Sequence, residues 1–69
     1  MYKYEIVIFW SETDQVFIAE APELPGCLAH GKTQNEALQN VNDAIELWLE
    51  TAREFDDKIP EPKPHQLAA

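Results

Sequence analysis

The chain opens on an alternation of apolar and polar positions. In residues 2–10, YKYEIVIFW, Tyr2, Tyr4, Ile6, Ile8 and Trp10 fall on one side, and Lys3, Glu5, Val7 and Phe9 on the other. β-branched and aromatic residues dominate, so this run predicts a strand. A polar turn, SETDQ, leads into VFIAE at 16–20, a second strand that completes a hairpin. The next stretch, PELPGCLAHG, crowds two prolines, both glycines and the only cysteine together. Pro22 and Pro25 remove backbone donors and fix φ, and Gly26 permits a turn that a larger residue would resist. CLAH then reads as a short third strand ending at Gly31, and the order predicts an antiparallel meander. Pro22, Pro25, Gly26 and Cys27 are assigned to a structural connector.

The period then changes from two to about 3.6. Thr33 and Glu36 have the spacing of a capping box. Leu38, Val41, Ile45, Trp48, Ala52 and Phe55 follow at steps of three and four, with Ala37, Ala44 and Leu49 widening the stripe. A helix over 33–57 is predicted, more than 30 Å long at ~1.5 Å per residue. Glu54, Asp56 and Asp57 sit unfavourably at the negative end of its dipole, which predicts a last turn that frays or meets cations. In KIPEP, Ile59 is expected to anchor a short final edge strand at about 58–61, where proline is tolerated. The fold class is α+β: a three-stranded antiparallel meander, one long helix on one face and a short final edge strand. Residues 1–62 are expected to form one domain and 63–69 a tail.

Both sides of the hairpin are apolar. Ile6, Ile8 and Trp10 oppose Val7 and Phe9, and Val16 and Ile18 oppose Phe17 and Ala19. A strand apolar on both sides belongs to a sheet covered on both sides, and one helix covers only one. Leaving the other wet would expose more apolar surface than soluble monomers usually carry. For a fold whose own stability is about 3–5 kcal/mol, that surface weighs heavily. A homo-oligomer is predicted, most simply a two-fold dimer and otherwise a tetramer. Val7, Phe9, Trp10 and Phe17 are its candidate interface. The alternative is that the aromatics curl over the hairpin and shield themselves.

Composition narrows the chemistry. Thirteen acidic against five basic residues give a net charge of −8, unsuited to holding a nucleic-acid backbone. One cysteine makes no internal disulfide, which fits a reducing, cytoplasmic setting. No apolar run approaches the ~20 residues of a membrane span. Cys27 and His30 have C-x-x-H spacing, but a zinc site needs four ligands, and on a strand the two point to opposite sides. For the same reason His30 is no base for Cys27. Glu5, Glu36 and Asp43 do not converge as a metal-dependent nuclease requires. No catalytic, cofactor or metal residue is assigned. What stands out is the polar side of the helix, where Glu36, Asp43, Glu46, Glu50, Glu54 and Asp57 face Arg53 as the sole base. It reads either as a solvated face or as a docking surface for a basic protein, with Asp43, Glu46, Glu50 and Glu54 the candidate contacts.

Taken together, the hairpin, the segment PELPGCLAHGKTQNEALQNVNDAIELWLE over 22–50 and the proline-containing KIPEP resemble the HicB-type antitoxins. The P-x-L-P-G-C segment and the following Gly-x-Thr turn and E-A-L helix are its most specific features. The resemblance implies a β-β-β-α-β arrangement, a reduced ribonuclease H-like fold without catalysis. It also implies a partner: a small basic HicA-type ribonuclease toxin held inactive in a complex. Many such antitoxins continue into a DNA-binding domain; this chain resembles a short form without one, so direct operator binding is not expected. A stand-alone oligomeric regulatory or ligand-binding domain without a toxin is the other reading.

Overall fold

Ser11 and Asp14 close the first turn: the Asp14 amide donates to Ser11 Oγ at 3.3 Å and the Gln15 amide to the Ser11 carbonyl at 2.8 Å. In the computed structural model, which describes residues 3–62, this turn joins β1 (Val7–Ser11) to β2 (Val16–Glu20). Strand β3 (Leu28–Gly31) pairs with β2, giving an antiparallel sheet of order β1-β2-β3. The register aligns Phe9 with Ile18 and Ile18 with His30, and Val7 with Glu20 and Glu20 with Leu28. The first strand starts later than its alternation suggests. Upstream of it the Glu5 amide donates to the Glu23 carboxylate at 3.0 Å, so a side chain takes the place of a strand partner.

The proline segment is two consecutive β-turns. Leu24 N–H donates to the Ala21 carbonyl and Cys27 N–H to the Leu24 carbonyl, each at 3.0 Å. Pro22 and Pro25 occupy the second position of their turns, where a fixed φ is already correct. Gly26 follows at φ +77°, the left-handed conformation that a type II turn requires. The two turns push Leu24 into the interior, where it is 1% exposed.

Helix α1 (Gln34–Glu54) starts as its sequence predicts. Thr33 Oγ1 accepts from the Glu36 amide at 3.1 Å. The reciprocal bond forms one residue earlier than the usual box, from the Lys32 amide to Glu36 Oε1 at 3.2 Å. At the other end the helix stops three residues short of the predicted 57. Asp56 adopts φ +56°, its amide donates to the Arg53 carbonyl at 3.2 Å, and the Asp57 amide reaches back to Ala52 at 2.7 Å. This is a Schellman motif with aspartate at the left-handed position, and it closes the terminus in place of the expected fray. Phe55, counted in the core stripe, is the cap residue and is 68% exposed.

The core lies between α1 and one face of the sheet. Ala37, Val41, Ile45, Leu49 and Ala52 are buried along the helix. They meet Tyr4, Ala19, Ala21, Leu24 and Cys27, with Ile6, Ile8 and Ala29 alongside. The helix crosses close to β3, and Gly31 makes that possible: a Cβ there would sit 2.5 Å from the Ala37 amide nitrogen. Asn40 Nδ2 donates to the His30 carbonyl at 2.8 Å, so helix side chains occupy outward-facing groups at and just past the end of this edge strand.

The expected final edge strand is not formed. Residues 58–61 pair with no strand, and the sheet has three strands among the described residues. Pro60 and Pro62 lack the amides a ladder would use. The segment is tied down by other means: Tyr4 donates its hydroxyl to the Pro60 carbonyl, and Ile59 packs against the core. The predicted tail, 63–69, lies outside the described residues.

Candidate functional site

The four acids singled out on the helix, Asp43, Glu46, Glu50 and Glu54, are all exposed, and Arg53 is the only basic residue in α1. Helical periodicity separates them. Asp43, Glu50 and Glu54 stand four before, three after and seven after Leu47, so they flank it closely, whereas Glu46 lies about a quarter-turn away. Leu47 itself is 64% exposed.

On the inner side of Leu47 the helix surface turns apolar. Leu47, Ala44, Trp48 and Ala52 line, with Leu28 and Gly26, a groove of about 670 Å3, to which Asp57 and Lys58 also contribute. The connector shapes its floor. Trp48 donates its indole N–H to the Pro25 carbonyl at 3.0 Å, which fixes the ring against the type II turn. Cys27 is buried beneath, and that burial pushes its thiol pKa up. A thiol held protonated is a packing group and a poor nucleophile.

The four interface candidates divide between two faces. Val7 and Phe9 lie on the side of the sheet away from the helix, 38% and 45% exposed. Phe17 packs on the helix side against the Ala19, Ala37 and Val41 cluster, with Trp10 edge-on to it at 5.0 Å between centroids. Their register partners complete the open face: Ile18 beside Phe9, and Leu28 in line with Val7, with His30 at the end of the Phe9–Ile18 row. Ile18 and Leu28 share this face without having been among the candidates, although the same period of two that put Val7 and Phe9 there pointed to them. Cys27 and His30 are not brought together, since one is buried and the other exposed. Among the described residues no cluster of three or more His, Cys, Asp or Glu is placed to hold a metal, and no helix there is long and apolar enough to cross a membrane.

An α+β module of this plan presents surfaces for contact: a ridge of acids, an apolar groove beside it and a half-apolar sheet face. Residues 4–69 match the model of the HicB-like antitoxins of bacterial toxin–antitoxin systems, and the chain belongs to that family. Similar proteins are a UPF0150 protein of Thermoplasma acidophilum, 40% identical over 84% of this chain and 83% of its own, and one of Synechocystis, 44% identical over 83% and 77%. A UPF0150 protein of Archaeoglobus fulgidus is 38% identical over 80% of this chain and 78% of its own.

Proposed function

We propose that this protein is a non-catalytic antitoxin that binds a small basic ribonuclease toxin of the HicA type in the cytoplasm and holds it inactive. The observation that carries the reading is the exposed acid ridge of α1 in a chain of the HicB-like family. A surface built to bind RNA phosphates is basic, and a ridge of carboxylates can occupy it in their place. With a net charge of −8 the chain itself repels nucleic acid, so direct operator binding is not part of its role. The protein acts as a homodimer or homotetramer, in which the part of the sheet face carrying Val7, Phe9 and Ile18 is covered by a second copy. Its plan is a reduced ribonuclease H-like fold.

The test is recovery of partners on the tagged chain in its native host, followed by an RNA-cleavage assay on any small basic protein obtained. Stoichiometric suppression of cleavage by the added chain is expected. Recovery of no small basic protein, or cleavage untouched by the chain, overturns the proposal.

A further inference from the structure

We infer that the groove between β3 and the second half of α1 is the seat of a basic amphipathic segment of the partner, with its apolar side chains on Leu28, Leu47 and Trp48 and its cations on Asp43, Glu50 and Glu54. The inference rests on the antitoxin reading for the identity of the partner and adds where and how that partner is held.

Three observations carry it. The groove is large enough, at about 670 Å3, for one or two apolar side chains, and its walls are built mainly of Leu28, Ala44, Leu47, Trp48 and Ala52. Leu28 and Leu47 are 54% and 64% exposed on either side of it, so the apolar surface is offered to solvent and not consumed by the core. The outer flank of Leu47 is acidic, through Asp43, Glu50 and Glu54. An apolar seat with carboxylates along one lip selects an amphipathic segment whose polar side is Lys or Arg. A second copy of this chain suits the lip less well than a basic segment, because with thirteen acidic against five basic residues it has few cations to set against those carboxylates. The indole bond from Trp48 to Pro25 and the double turn beneath it hold the seat in shape before anything binds, which limits the ordering cost of association.

The arrangement ranks the four acids in a way that charge alone does not. By helical spacing Glu50 and Glu54 stand on the outer flank of Leu47, which lines the seat, whereas Glu46 lies further round the helix from it. The probe is a synthetic amphipathic peptide of leucine and lysine, with a leucine–glutamate peptide of the same pattern as control, titrated into 15N-labelled protein. The two tryptophan indole signals separate the surfaces, since Trp48 reports the groove and Trp10 the far end of the sheet. The lysine peptide is expected to move the Trp48 indole and the amides of Leu28, Leu47 and Thr51, and the glutamate peptide to move none. Leu47→Lys, at an exposed site where the fold is retained, should weaken binding at least tenfold. Glu50→Gln and Glu54→Gln should each weaken it by up to about fivefold, while Glu46→Gln stays within about twofold. Shifts centred on Val7, Phe9 and Ile18, binding unaffected by Leu47→Lys, or no binding at all would overturn the inference. Failure of the antitoxin reading shows separately, in the ribonuclease assay, whatever the peptide does.

Discussion

Gly31→Ala is the substitution for which the structure sets the sharpest expectation. The added methyl would lie 2.5 Å from the Ala37 amide nitrogen, 2.8 Å from the Glu36 carbonyl carbon and 2.9 Å from Glu36 Cβ. Two of the three obstacles are backbone in the first turn of α1, so no rotamer change relieves them. Carbon and nitrogen rest about 3.5 Å apart, and the helix start must therefore retreat from β3 by roughly 1 Å. Overpacking of this kind costs about 1–3 kcal/mol and occasionally more. The retreat also lengthens the bonds from Lys32 to Glu36 and from Asn40 to His30, so a total of about 3 kcal/mol is expected. That is most of the stability a single core of this size supplies. Urea unfolding followed by far-ultraviolet circular dichroism, at one fixed protein concentration, measures it. Gly26→Ala is the control: a methyl there meets nothing within 4 Å, and only the left-handed φ of +77° counts against it, at about 1 kcal/mol. A Gly31→Ala protein within 0.5 kcal/mol of the parent, or less damaged than Gly26→Ala, would refute the reasoning that helix and strand touch through this glycine.

Asp56→Gly should raise stability by about 0.5–1 kcal/mol, because it relieves a left-handed aspartate and removes an acid from the negative end of the helix; an unchanged urea midpoint counts against the Schellman assignment. Burial raises the pKa of Cys27, and burial followed by the Glu23 charge raises that of Tyr4, so the unfolded chain releases both protons first. Stability from these groups is complete below pH 9 and falls as pH climbs through 9 and then 10 towards the raised folded values, and Cys27→Ala should remove the earlier limb of a stability–pH curve. Phe9, 45% exposed, offers about 90 Å2 of an aromatic side chain, worth ~2 kcal/mol if a second copy covers it. With two copies per interface, Phe9→Ser should weaken a two-fold dimer by about a thousandfold in sedimentation equilibrium; a parent protein that stays monomeric at micromolar concentration removes the dimer altogether.

What the sequence made legible is what is coded locally. The hairpin, the double proline turn and the threonine cap are each specified by a handful of adjacent residues, and each is where the pattern puts it. The helix end was misplaced because its stop signal is an aspartate in a conformation normally marked by glycine. The final strand was expected because Ile59 is an apolar residue needing a neighbour; it found one in the core, and Tyr4 rather than a ladder fixes Pro60. Alternation announced two apolar faces without saying which one the helix would take. That choice rests on distant packing, Leu38 and Val41 beside Phe17, and it sends Trp10 and Phe17 to the helix side. The groove was out of reach for the same reason, since its walls come from a strand and a helix that meet only after folding. Leu47 was the one clue, an aliphatic residue off the buried stripe with acids at helical spacing around it.

The bond from Asn40 to His30 bears on how copies of this molecule can add to one another. A bare sheet margin invites the next strand, and a sheet bare on both margins can be laid side by side without end. Here the helix reaches down and takes one carbonyl at the end of one margin, His30 on β3, while β1 stands at the other margin. Side-by-side growth is thus easier at β1 than at the end of β3, which makes the two margins unequal for a chain with so much exposed apolar surface.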